Sequence, residues 1–163
     1  TRGLFDVVMC DYVLNSVDSQ QAQADVLACL NAFCKPGGQV YFSGRKRDRV
    51  AVMHAYTKTA DSRRYAEFPD EHGLSALFRA GQWFFQKFHS AEEVAALVRS
   101  HFDAEGRHQY RDNSSTAWQV SLVKAMQAPD IKGAIDREFN LPLPNGRRFG
   151  RQADVWSALA PLL

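Results

Sequence analysis

FDVVMCDYVLNSV, residues 5–17, followed by KPGGQVYFSG at 35–44, decides how this chain is read. Phe5 to Cys10 is almost wholly apolar and rich in valine. Such a run fits a strand covered on both faces, as in a parallel sheet. It ends on Asp11, with Tyr12 and Asn15 close behind. Asp18 followed by Gln21 reads as a helix start of the capping-box kind. Val26, Leu27, Leu30, Phe33 and Cys34 then recur at helical spacing. Pro36 stops that helix near KPGG, where Gly37 or Gly38 takes a positive φ. Gln39 to Gly44 follows as a second short strand. Strand, helix, glycine turn, strand is a βαβ unit, whose crossover is right-handed by rule.

Working outward, residues 45–65 read as helical at their centre, with Val50, Met53 and Tyr56 on one side. DEHGLSALFRAG at 70–81 offers a short helix closed by Gly81, and QWFFQKF at 82–88 is aromatic and extended. Ser90 and Glu93 form a capping box ahead of Val94, Leu97, Val98 and Phe102, the apolar face of a helix. DAEGRHQYR (103–111) and TAWQVSLVKA (116–125) read as two strands joined by a turn at Asp112 to Ser115. In the second, Trp118, Val120 and Leu122 alternate with Gln119, Ser121 and Val123. Residues 1–126 are one α/β unit and 127–163 a C-terminal extension. In the extension, Ile131, Ile135 and Phe139 share a helix face, Asn145-Gly146 makes a turn, and 153–163 forms a last short helix. Leu159, Leu162 and Leu163 need a surface to cover, so the extension is expected to pack across the strand hairpin.

A chain of 163 residues, 45% apolar and 23% charged, has the length and balance of one globular domain. A net charge of +2 is too small to name a nucleic acid or membrane partner. No apolar run reaches the length of a membrane helix, and residues 1–6 lack the pattern of a signal peptide, so the expected location is cytoplasmic. Three cysteines without CxxC spacing point to reduced, buried thiols. The five histidines show no metal-ligand spacing, so no metal site is expected. No GxSxG elbow exposes a serine nucleophile.

FDVVMCDYVLNSV, the helix after it, KPGGQVYFSGR, and FQKFHSAEEVAALVRSHFDAEG further on resemble the second half of a class I S-adenosylmethionine-dependent methyltransferase. The resemblance covers residues 4–125. DYVLN with WFFQKFHSAEEV is also similar to methyltransferase-like proteins associated with DNA phosphorothioation. The implied fold is α/β, a partial Rossmann-like sheet from the family's fourth strand onward. It ends in an antiparallel hairpin strand, with helical insertions and a C-terminal extension. The ten glycines contain no GxG pair, and no early strand ends in an acid for a ribose. The family carries both features upstream of the segment matching Phe5. The expectation is therefore that S-adenosylmethionine is bound only together with a missing N-terminal half.

By the same resemblance, Asp11, Tyr12 and Asn15 border the methionine part of the cofactor and the transferred methyl, with Asp11 also the first candidate base. Arg45 and Trp83 are the candidate substrate contacts, Arg45 for an anionic group. The methyl acceptor, small molecule or nucleic acid, is not named by any motif. DYVLN departs from the Asp-Pro-Pro-Tyr pattern of enzymes that methylate base amines, which argues against that chemistry. Basic residues at 45–49, 63–64 and 147–151 read as a charged surface offset by nearby acids. The alternative to an enzyme is a non-catalytic binding or assembly module. In both readings the strand Phe5–Cys10 is an apolar edge that pairs with the missing half or with a second copy.

Overall fold

A computed structural model describes residues 4–47, 65–67, 72–79, 82–114 and 116–163. Strand β1 (Phe5–Cys10) runs parallel to β2 (Cys34–Lys46), with Val7 opposite Gln39 and Cys10 opposite Phe42. Helix α1 (Gln20–Phe33) joins them. On the other edge of β2 lies β7 (Ala117–Val123), antiparallel from Gln39–Val123 to Arg45–Ala117, and β6 (Gln109–Asp112) pairs beyond it. β2 is longer than β1. Past the end of β1 it takes β5 (Gln82–His89) as a parallel neighbour, Arg45 opposite Phe88. β5 in turn carries β4 (Leu74–Arg79) and β3 (Tyr65–Glu67) as an antiparallel ribbon.

Helix α1 and helix α2 (Ala91–His101) cover one face of the sheet. Leu27, Val94, Val98 and Phe102 pack there on Val40, Phe42, Trp118, Val120 and Leu122, all buried. Phe42 stacks on Phe102 and meets Trp118 edge-on, centroids 5.9 and 5.8 Å apart, the offset and T-shaped geometries that ring quadrupoles favour. The extension supplies α3 (Ile131–Glu138) and α4 (Gln152–Leu159), with a 3₁₀ turn at Ala160–Leu162. Ile131, Ala134, Ile135 and Leu159 form a second cluster with Ala28, Cys29 and Ala32. The extension therefore packs on the back of α1, not across the β6–β7 hairpin. Small residues on α1 let α3 approach, and Arg137 reaches Asp25 through Nε and Nη2, both at 2.7 Å.

Several expectations are corrected. The cap of α1 is Ser19, whose Oγ accepts from the Ala22 N–H at 3.1 Å, one residue later than Asp18. The helix ends at Phe33, and KPGG already lies in β2. Gly37 does take φ 76°, at the shift in register against β1 between Phe5 and Val7. The carbonyls of Asn31 and Cys34 at the end of α1 accept from the buried Lys124 ammonium at 2.7 and 2.8 Å, satisfying groups that a helix end leaves open. Leu74–Arg79 is a strand, not a helix, because pairing with β5 overrides its local preference. Where the insertion is described it is therefore β-structure. The helix expected within 45–65 lies largely outside the described residues. Ser90 caps α2 by accepting from the Glu93 N–H at 3.2 Å, while the Glu93 carboxylate turns to the buried Lys87. β6 is shorter than expected, since residues 103–106 form a turn closed by Gly106 N–H to the Asp103 carbonyl, 2.8 Å. Cys10, Cys29 and Cys34 are buried free thiols, and burial raises Cys10 to about 11 and Cys29 to about 12. No helix among the described residues is long and apolar enough to cross a membrane.

Candidate functional site at the strand tips

Open α/β sheets bind ligands beyond the carboxyl ends of their parallel strands. Here that place is the end of β1, beside the stretch where β2 runs on past it. The chain leaves β1 at Asp11 and passes Tyr12 in the left-handed region, φ 57°. It then makes a 3₁₀ turn at Val13–Asn15. A non-glycine residue at positive φ is strained and persists only where neighbours hold it. Ser43 of β2, which is buried, does so. Its Oγ accepts from the Tyr12 N–H at 3.0 Å and donates to Asp11 Oδ1. One hydroxyl thus locks both the carboxylate and the peptide after it.

Asp11 opens on a cavity of about 150 Å³ lined also by Met9, Tyr41, Ser43, Asn113 and Gln119. Asn113 comes from the β6–β7 turn and Gln119 from β7, opposite Ser43. Sequence reading missed both, because only the antiparallel return of β7 carries them to Asp11. Alternation along β7 separated Gln119 from the core residues but could not say which strand tip it would face.

Asn15 does not line that cavity. It is buried, and its Oδ1 accepts from the Arg45 N–H at 2.8 Å. Gly44 leaves the room for this: a Cβ there would lie 2.3 Å from Trp118 and 3.1 Å from Asn15 Oδ1. The Trp118 indole N–H donates to the Arg45 carbonyl at 3.0 Å. The Arg45 side chain is exposed and lies over the Tyr12 ring, 5.7 Å from guanidinium carbon to centroid. Trp83 stands apart from this group. It is half exposed on β5, five residues before the pairing of Phe88 with Arg45, or roughly 16 Å along the strand. Phe84 and Phe85 beside it are equally exposed, so this aromatic run is not core.

Beneath the tip, His89 is fully buried, with Nε2 2.7 Å from Gln23 Oε1 and its ring edge-on to Trp118. Burial, with the Lys87 charge adding to it, lowers its pKa to about 3, so the ring is neutral at ordinary pH. Of the expected basic surface, Lys46 pairs with Asp112 and Arg151 with Asp154. A larger hollow, about 620 Å³, lies toward the other end of β2 among Gln39, Arg107, His108, Gln109 and Val123. Arg107 there is already held by Asp103 and Glu105. The smaller cavity is the better candidate, because it sits at the end of the parallel strand β1 and is lined by Asp11, the residue just before the strained Tyr12.

No protein-family model matches the sequence, and no curated protein matches it. Among solved structures, it is similar to an S-adenosylmethionine-dependent methyltransferase from Clostridium acetobutylicum, with 12% identity and a TM-score of 0.50. That match covers 76% of this chain and 59% of the other. Weaker likenesses are to the DhpI–SAM–HEP complex, at 13% identity and TM-score 0.45 over 74% and 51% of the two chains. Another is CalS10, an amino pentose methyltransferase from Micromonospora echinaspora, at 15% and 0.43 over 75% and 59%. The chain thus spans a little over half the length of the structures it matches. Its fold, from the strand ending at Asp11 to the antiparallel strand at Ala117–Val123, is of the class I S-adenosylmethionine-dependent methyltransferase kind.

Proposed function

We propose that this chain forms the strand-tip side of an S-adenosylmethionine-dependent methyl transfer. The observation that carries the reading is that Asp11, just past the end of β1, and Ser43 of β2 line one cavity, with Tyr12 held by the same Ser43 hydroxyl and Arg45 stacked on the Tyr12 ring beside it. When bound, the cofactor supplies an electrophilic methyl on a sulfonium. Asp11 accepts a hydrogen bond from its ammonium, or takes the proton that the acceptor loses. Ser43 keeps that carboxylate aimed, and Tyr12 packs beside it. Arg45, and Trp83 further out, meet the acceptor. The acceptor is a small molecule or a nucleic acid. Positioning supplies most of the catalysis in such a displacement, so no further reactive group is required.

The fit to the cofactor is partial. About 150 Å³ takes its amino-acid end, whereas a whole small ligand needs about 300–1,000 Å³. The described residues offer no glycine cradle for the nucleoside. The missing wall belongs along β1. Phe5, Val7 and Met9 are 47, 55 and 70% exposed, and β1 pairs only with β2 among the described residues. An N-terminal half, or failing that a second copy, pairs there in this proposal. The same bare strand favours the second reading, a non-catalytic assembly module.

Calorimetric titration of S-adenosylhomocysteine separates the two. It is run on this chain and on the product of any coding sequence extending upstream of Thr1. Binding by either, abolished by Asp11→Ala, supports the enzyme. Binding by neither leaves the assembly module.

A further inference from the structure

Several described cations in this protein meet a carboxylate: Lys35 with Asp6, Lys46 with Asp112, Lys87 with Glu93, Arg137 with Asp25. Arg45 has no carboxylate partner among the described residues, yet it is held with unusual care. Asn15 takes its N–H and the Trp118 indole its carbonyl, both from buried side chains. Its guanidinium rests on Tyr12, whose own N–H is held by Ser43. Both partners of the cation–π pair are therefore fixed at the backbone before any ligand arrives. A surface arginine kept only for solubility needs none of this.

We infer that Arg45, stacked on Tyr12 and clamped by Asn15 and Trp118, is a preorganised receptor for an oxyanion, carboxylate or phosphate, on the ligand of the strand-tip site. Arg45 supplies a planar donor fork suited to two oxygens at once. Asn15 and Trp118 are positioning residues: they hydrogen-bond the Arg45 backbone and lower the ordering that binding would otherwise demand. Asp11 stands at the neighbouring strand tip, its Oδ1 already met by Ser43. A ligand with a cationic group on the Asp11 side and an oxyanion on the Arg45 side satisfies both. The inference rests on the strand tip being a ligand site and adds the chemistry that site selects.

The test is titration of inorganic phosphate and of L-methionine into the chain at constant ionic strength. It is followed by calorimetry and by the Arg45 Nε–H resonance, which the ring current of the stacked Tyr12 is expected to displace in the free protein. Phosphate is expected to shift that resonance saturably. Arg45→Met should weaken phosphate binding by about tenfold or more. Asn15→Ala keeps the charge. It should weaken binding by about three- to tenfold and return the Nε–H signal toward its ordinary position. Tyr12→Leu gives the same readout without touching a buried residue. An unmoved Arg45 signal, or unchanged affinity in Arg45→Met, overturns the inference. Competition between methionine and phosphate assigns the oxyanion to the cofactor's amino-acid end, and joint binding of S-adenosylhomocysteine and phosphate assigns it to the acceptor. Phosphate binding at Arg45 with no binding of S-adenosylhomocysteine by any form of the protein leaves the receptor standing and removes the methyltransferase reading.

Discussion

Phe42 and Met9 lie in adjacent strands of one sheet on opposite faces; Phe42 is 1% exposed and Met9 70%. On the Phe42 side, α1 and α2 close over a continuous aromatic and aliphatic core. On the Met9 side Val7 and Met9 stay exposed among the described residues. The rest of that face suits water. Gln39 on β2, Gln119 and Ser121 on β7, and Gln109 and Arg111 on β6 alternate with the core residues, as in an antiparallel sheet with one wet side. β1 carries a run of apolar residues, Phe5, Val7 and Met9, outward as well as inward. Its composition is that of a strand with two covered faces, while its surroundings provide one.

The largest test of this contrast is Trp118→Ala. It opens a cavity in the covered face and should cost about 3–5 kcal/mol in urea unfolding. A loss near 1 kcal/mol would mean that the core is looser than its ring contacts imply. Acid should also act through the covered face. His89 is neutral when folded, with its pKa lowered to about 3 from 6.5. The unfolded chain binds a proton below pH 6.5 that the folded chain refuses. Stability is therefore held above pH 6.5 and lost as pH falls from there toward 3, at up to about 1.4 kcal/mol per pH unit. His101, also lowered by burial, adds in the same direction. Comparing the pH dependence of unfolding in wild type and His89→Gln checks this, since the variant should show a shallower slope across that window.

Gly37→Ala forces a side chain into φ 76° with open space around it, so only backbone strain is felt, about 1–2 kcal/mol. A smaller loss by thermal melting would show that the shifted register relaxes. The smallest effect is expected on the bare face. Val7→Thr with Met9→Gln should change the stability of the chain by no more than about 0.5 kcal/mol. The same pair should reduce any self-association seen by sedimentation. A loss of several kcal/mol instead would show that this face is covered within the chain itself.

How far the sequence could be read follows the same division. β1, α1, β5, α2, β7 and the first helix of the extension were legible because each carries its own period and, for α2, its own capping residue. Leu74–Arg79 was not, since Leu, Ala and Arg favour a helix locally and only the partner strand settles the matter. The destination of the extension was equally hidden: its leucines ask for a surface, and nothing local says that the surface is α1. At the site, Asp11 and Arg45 stood out by their place at strand ends. Asn15 was singled out for lining the ligand, but its amide faces the backbone of the next strand, 30 residues along the chain. Ser43 lay inside the expected strand Gln39 to Gly44 with nothing to mark it, and its hold on Asp11 and Tyr12 is a three-dimensional fact.

β2 is flanked by β1 on one edge and β7 on the other, and the partners of Phe42 are Cys10 and Val120. During synthesis the first neighbour is already made when β2 appears, and the second follows nearly eighty residues later. At about 5–20 residues per second that interval lasts several seconds. Throughout it, β2 presents an open edge and the aromatic core lacks Trp118. The nascent chain is then most exposed to wrong pairing, and a chaperone that binds extended apolar segments would find its target at Val40 to Phe42.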